Sequence, residues 1–187
     1  NSGKVSNDGW ELTVDYRSRL GTDLKYQVSF NASHVRNEVT DLRNAGPFIA
    51  GSNITAEGYP IGSIYGYRSN GFFNSQEEID NHAVQPGQIG PGDIRFVDQN
   101  NDDLINADDR VVLGDPFPAF NYGINIFGQY KRVDVRVFMQ GVGSRDVFLS
   151  EYAAWPLYNG TNIKTWQAEH YWTPENTDAF YPRPLEY

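Results

Sequence analysis

Trp10-Glu11-Leu12-Thr13-Val14-Asp15-Tyr16-Arg17 alternates without a break between apolar and polar residues. Successive side chains of an extended strand point to opposite faces, so this octet predicts a strand with one greasy and one hydrophilic side. A turn follows at Gly21-Thr22-Asp23, and the same alternation resumes with Leu24, Tyr26, Val28, Phe30 and Ala32 set against Lys25, Gln27, Ser29, Asn31 and Ser33. Two such runs joined by a short Gly-containing link predict a β-hairpin. A second pair recurs far downstream. Phe120, Tyr122, Ile124 and Ile126 alternate with Asn121, Gly123 and Asn125, and, after a tight turn at Tyr130-Lys131-Arg132, Val133, Val135, Val137 and Met139 alternate with Asp134, Arg136, Phe138 and Gln140. The expected strands cover about 9–18, 23–35, 119–129 and 132–142, and the fold class is all-β and antiparallel.

Between the hairpins, about 36–118 forms a long insertion rich in Gly, Pro, Asn and Tyr, far longer than the usual connection in a compact domain. Within it Ser75 and Glu78 make a capping-box pattern, which predicts a short helix over 75–82. Gly92-Asp93-Ile94-Arg95-Phe96-Val97 predicts a short strand leading into an acidic loop. A second irregular region, 143–187, carries a candidate helix near 162–171, stopped by Thr173-Pro174.

The acidic loop is Asp98-Gln99-Asn100-Asn101-Asp102-Asp103-Leu104-Ile105-Asn106-Ala107-Asp108-Asp109. Asp98, Asn100 and Asp102 occupy the first, third and fifth positions, Leu104 offers its carbonyl at the seventh, and Asp109 closes the twelfth. One loop wraps Ca2+ with this spacing. Asp103 stands at the sixth position where Gly is usual, and would have to adopt a left-handed conformation. Two readings stand: a structural Ca2+ site, or an Asx turn held by side-chain to backbone hydrogen bonds.

The chain has 15 basic and 24 acidic residues, a net charge of −9 that argues against nucleic-acid or anionic-membrane binding. Without cysteine it has no disulfides, thiol catalysis or thiolate metal sites. Glu77 and Glu78 are adjacent on a predicted helix and do not face a common point, so they make a poor glycosidase dyad. His34, His82 and His170 are scattered and lack a nucleophile elbow. Gly58, Gly62 and Gly66 do not open a helix after a strand, so they read as turn residues. An enzyme is not expected. Tyr65, Tyr67, Phe72, Phe73, Trp155, Tyr158, Trp166, Tyr171 and Trp172 lie in or beside irregular segments, either as ligand platforms or as packing that orders long loops.

Several motifs together carry a family pattern: Asn7-Asp8-Gly9-Trp10-Glu11-Leu12, Gly62-Ser63-Ile64-Tyr65-Gly66-Tyr67 with Gly71-Phe72-Phe73, and Gly92-Asp93-Ile94-Arg95-Phe96 entering the acidic loop. Leu113-Gly114-Asp115-Pro116-Phe117-Pro118 then leads into Phe120-Asn121-Tyr122-Gly123, with Met139-Gln140-Gly141, Tyr171-Trp172-Thr173-Pro174-Glu175-Asn176 and Pro182-Arg183-Pro184 beyond. In order and spacing the chain resembles a C-terminal portion of the SusC/RagA family of TonB-linked outer-membrane transporters. The resemblance implies a fragment of a plugged transmembrane β-barrel of about 22 strands. It also implies apolar faces toward outer-membrane lipid, short periplasmic turns, long extracellular loops carrying short helices, and plug and TonB-binding elements outside this stretch. Family members import oligosaccharides or peptides with a SusD-like surface lipoprotein. The rival from another class is a secreted soluble β-rich carbohydrate-binding module with the apolar faces packed as a sandwich core.

Overall fold

The computed structural model describes residues 3–151, 154–160 and 162–184. The chain divides into two compact units, one of Asn1–Ile64 with Gly114–Val147 and the other of Tyr65–Leu113 with Phe148–Tyr187.

The first unit is built on a four-stranded antiparallel sheet. Its strands are β1 (Lys4–Leu20) and β2 (Leu24–Asp41) from one hairpin and β9 (Phe120–Tyr130) and β10 (Val133–Val142) from the other, in the order β1-β2-β9-β10. Both hairpin turns sit at one end of the sheet, where Leu20 pairs with Leu24, Leu24 with Tyr130, and Tyr130 with Val133. The Lys131 amide donates to the Asp23 carbonyl at 3.0 Å and ties one turn to the other. Gly21 takes a φ of 63°, the left-handed conformation a tight turn needs.

β1 and β2 run well beyond the expected 9–18 and 23–35. The alternation stops near Gly9 and Val35, while the backbone ladder continues to Lys4 and Asp41. Periodicity marks where one face is apolar, whereas pairing needs only amides and carbonyls. The extension is polar, with Asn37 Nδ2 donating to Asn7 Oδ1 at 2.7 Å and Arg36 pairing with Glu38 at 2.7 Å. Gly9 is required here, because a side chain at this position would strike the His34 carbonyl.

The insertion is more ordered than a loop. In the first unit the end of β2 docks on a turn, the Val39 amide donating to the Tyr59 carbonyl and the Gly58 amide to the Val39 carbonyl, each at 2.9 Å. Val39, Leu42, Ile54 and Ile64 are buried there. β3 (Phe48–Ala50), β4 (Asn53–Thr55) and the start of β5 (Ser63–Tyr67) form a small antiparallel sheet. In the second unit β6 (Ser69–Phe72) pairs with β7 (Ile94–Phe96), and β8 (Arg110–Gly114) lies beside the Tyr65–Tyr67 end of β5.

Helix α1 (Gln76–Asp80) starts at Ser75, whose hydroxyl accepts from the Glu78 amide at 3.2 Å. The return arm of the expected box differs: Glu78 Oε2 accepts from the Asn74 amide rather than from Ser75. The second helix, α2 (Thr165–Glu169), is shorter than the expected 162–171. Residues 152–153, 161 and 185–187 of the expected second loop lie outside the described residues. Among the described residues, no helix is long and apolar enough to cross a membrane, which says nothing of strands.

Candidate functional site

Register turns four alternating strands into two continuous surfaces. On one face the cross-strand rows read Leu20-Leu24-Tyr130-Val133, then Ser18-Tyr26-Gly128-Val135, Tyr16-Val28-Ile126-Val137, Val14-Phe30-Ile124-Met139, Leu12-Ala32-Tyr122-Gly141, and Trp10-His34-Phe120. The opposite face reads Arg17-Gln27-Phe127-Arg136, Asp15-Ser29-Asn125-Phe138 and Thr13-Asn31-Gly123-Gln140. A one-residue slip in any pairing would mix the two surfaces, so the apolar pattern fixes the register.

The apolar face is not a core. Leu12, Val133, Val135 and Val137 are 47%, 65%, 59% and 43% exposed, so no second layer within the described chain covers them. A soluble sandwich would bury these positions between two sheets.

Aromatic rings gather at both ends of this face. At the end away from the turns, Trp10 stacks on His34 with ring centroids 6.2 Å apart, meets Phe120 at 6.1 Å, and Phe120 meets Tyr122 at 6.0 Å. Toward the turns, Tyr16 meets Tyr26 at 6.0 Å and the Lys131 ammonium lies over Tyr130 at 5.3 Å. From Leu20 to Trp10 the strand rises about 33 Å at ~3.3 Å per residue.

The Asp98–Asp109 loop lies in the second unit. Asp103 does adopt the left-handed conformation, with φ 63°, as does Asn101 with φ 60°. Asp98 Oδ1 accepts from the Asn101 and Asp102 amides at 2.7 and 3.3 Å, and its Oδ2 from the Asp103 amide at 2.9 Å. Asn100 Oδ1 accepts from the Asp102 amide at 3.1 Å, and Asp102 Oδ1 from the Leu104 amide at 2.9 Å. Asp109 is wholly buried, and its two oxygens accept from the Gln99 and Asn106 amides, each at 2.8 Å. Those two bonds, the Asn106 one foremost, hold its carboxyl below the ordinary aspartate value. Ile105 is buried, and its amide reaches the Val84 carbonyl at 2.9 Å, anchoring the loop's far side.

As a test of fit to Ca2+, the backbone has the bend such a loop needs. Among the described residues no three His, Cys, Asp or Glu side chains gather to hold an ion, although the side chains of Asp98 and Asp109, the first and twelfth positions, lie within hydrogen-bond reach of each other. Each carboxylate of the expected set, Asp98, Asp102 and Asp109, accepts backbone amides instead.

The loop aromatics differ in burial. Phe73 is fully buried and lies edge-on to His82, with ring centroids 5.1 Å apart. Trp172 is also buried, its indole donating to Asn74 Oδ1 at 2.9 Å. Tyr67 packs on Phe96 at 5.2 Å, and Tyr65 lies under Arg110 at 4.4 Å. Trp155 and Trp166 are 46% and 42% exposed, beside Tyr158 and Tyr181 respectively.

The contact that sequence reasoning missed joins two of the motifs. Arg183 and Asp93 form a two-pronged ion pair, which holds the guanidinium above its ordinary range, and the Arg183 amide also reaches the Gly92 carbonyl at 3.0 Å. Gly92, at φ 92°, lies against the Trp172 ring, leaving no room for a side chain. Glu77 and Glu78 line a cleft of about 610 Å3 with Asn70, Ser75, Asn81, His82 and Arg95. Glu78 is paired there with Arg95 at 3.4 Å.

This is an all-β chain of antiparallel sheets, and the fold recurs in solved transporters. A structure of the RagAB peptide transporter matches all of this chain and 20% of its own, with a TM-score of 0.69 and 15% identity. The RagAB peptide importer in its open-open state matches 98% of this chain, with a TM-score of 0.66 and 16% identity. Among curated relatives, TonB-dependent receptor P3 of Formosa agariphila is 28% identical over 98% of this chain, and TonB-dependent receptor SusC of Bacteroides thetaiotaomicron is 25% identical over 72%. No family model matches. The chain is similar over nearly its whole length to a segment of proteins named TonB-dependent receptors, SusC among them, which is the resemblance its motifs suggested. It spans about a fifth of the length of P3 and 13% of SusC.

Proposed function

We propose that this chain is a C-terminal portion of the wall of a TonB-dependent outer-membrane transporter. Its four-stranded sheet would face lipid on the apolar side and an aqueous lumen on the polar side. The observation that carries this reading is the exposed apolar surface, in register over four strands and bordered by aromatic rings at both ends. The proportion agrees: four strands are about a fifth of a 22-stranded barrel, and the chain spans 19% of P3.

In this reading the two short turns are periplasmic, and the insertion between β2 and β9 and the segment after β10 are extracellular. The parent receptor imports oligosaccharides or peptides, together with a SusD-like surface lipoprotein, and draws energy from TonB through elements outside this stretch. The support is the kinship with SusC and the likeness to RagAB, the latter described as a peptide transporter. No catalytic step is assigned to it.

Calcium in the acidic loop is a separate, structural proposal. Asp98, Asn100, Asp102, the Leu104 carbonyl and Asp109 would supply hard oxygen donors, and the ion would offset repulsion among the loop's acids.

The wall reading is tested on the full-length parent protein. A folded barrel should require detergent to stay monodisperse and should migrate differently on a gel before and after boiling. A monomer in detergent-free buffer with no heat-dependent shift would overturn the reading.

A further inference from the structure

Residues 171–183 fold back on themselves and are fastened down. The Trp172 amide donates to the Tyr181 carbonyl at 2.8 Å, the Tyr181 amide to the His170 carbonyl at 3.0 Å, and Asn176 Nδ2 to the Tyr171 carbonyl at 3.1 Å. This closed loop brings Trp172 from one arm and Arg183 from the other to the same stretch of the insertion. Arg183 pairs with Asp93 and lies over Gly90, where a side chain would strike its guanidinium. Trp172 covers Gly92 and donates to Asn74 Oδ1. Within that stretch the Phe73 amide donates to the Asp93 carbonyl at 3.0 Å, and the Gly92 amide to the Phe73 carbonyl at 2.7 Å. Phe73, Asp93 and Trp172 are all buried at the junction, and every group named belongs to the second unit.

Asn74 carries the closure onward. Its side chain accepts from Trp172, while its amide donates to Glu78 Oε2 at 2.9 Å. Glu78 lies in α1 and pairs with Arg95, whose Nε donates to Asn70 Oδ1 at 2.8 Å. A continuous run of bonds therefore leads from the 171–183 loop through Asn74 to Glu78, Arg95 and Asn70, three of the residues that line the cleft beside α1. Short segments held by a few shared bonds open locally and together, well before the whole fold unravels.

We propose that 171–183 is a strap that opens and closes as one piece over 73–93, and that its closure sets the start of α1 and the cleft beside it. Trp172 and Arg183 act as positioning residues for that cleft, which neither of them lines. The strap does not rest on the barrel reading, since its fastenings are internal to the second unit.

The test is residue-resolved amide exchange on the full-length parent protein, comparing wild type with Trp172→Phe and Arg183→Lys. Trp172→Phe keeps an aromatic ring but removes the indole N–H. Exchange at Tyr181 and Arg183, in the strap, and at Asn74 and Glu78, at the start of α1, should all quicken by one common factor of about fivefold. Arg183→Lys loses one prong of the ion pair and should quicken the same four amides by a common factor of its own. The Gln99 and Ile105 amides, bonded elsewhere in the second unit, should keep their rates in both variants. Faster exchange at Tyr181 and Arg183 with Asn74 and Glu78 unmoved overturns the proposal, because the tail would then open without α1. Unchanged rates at all four amides overturn it too, as does a uniform rise that includes Gln99 and Ile105, since the unit would then melt as a whole. A parent that proves to be a detergent-free monomer sinks the barrel reading and leaves the strap to be judged on these six amides.

Discussion

Arg183 Nε and Nη2 reach Asp93 Oδ1 and Oδ2 at 2.7 and 2.8 Å, closing a bond across ninety residues of chain. Asp93 Oδ2 also accepts from the Gly90 amide at 2.8 Å, so the carboxylate anchors the turn that presents it. Asp93 is buried and the guanidinium is about one-third exposed, so solvent screens only one partner.

Replacing Arg183 by Ala should therefore loosen the second unit, by about 1–3 kcal/mol for a carboxylate left without its partner. Arg183→Lys should recover only part of this, since an ammonium cannot match both oxygens. Amide exchange at Phe73 and Gly92, whose backbone groups bond across this junction, would report it. Equal protection in all three proteins would refute the latch.

The two faces of the sheet should answer oppositely to charge. Val137→Arg, mid-band on the apolar face, should lower the stability of the assembled parent by about 2–4 kcal/mol. Asn125→Arg, on the polar face, should be tolerated. Denaturant titration of the parent in detergent or lipid separates the two, and a larger cost at Asn125 would reverse the assignment of faces.

Acid should weaken the Asp98–Asp109 loop through Asp109. Its folded carboxyl titrates below the ordinary 3.8, so the charged form is favoured by folding. The contribution is complete above that ordinary value and disappears as pH falls through the lower, folded one. Protection of the Gln99 and Asn106 amides, corrected for intrinsic exchange, should hold steady from pH 7 to about 5 and decline below about 4. Asp109→Asn should show reduced protection at neutral pH and little further loss in acid.

Calcium should slow exchange throughout 98–109, and chelation should restore the faster rate, if Asp98, Asn100 and Asp102 turn from amides toward an ion. Identical exchange with Ca2+ and with chelator would leave the loop as a self-closed Asx turn.

What the sequence made legible was whatever repeats locally. Strict alternation in Trp10–Arg17 and Val133–Gln140 located strands and assigned their faces, because a two-residue period has one geometric meaning. The left-handed Asp103 followed from its place in a twelve-residue spacing. The ends of β1 and β2 were not legible, since Lys4–Asp8 and Arg36–Asp41 pair through backbone without a periodic apolar signature. Nor was the joining of Asp93 to Arg183, or of Asn74 to Trp172, since nothing local in a lone carboxylate or indole names a partner ninety residues away. Even the capping box was read only in part: Glu78 reaches one residue further back than the pattern implies.

Val35 donates to the Ala119 carbonyl at 2.8 Å, just past the last paired residues of β2 and β9. The long excursion between them thus starts and finishes at neighbouring points, like a cassette clipped into a frame. Changes in its length beyond Asp41, where β2 stops pairing with β1, should leave the register of the four strands in place.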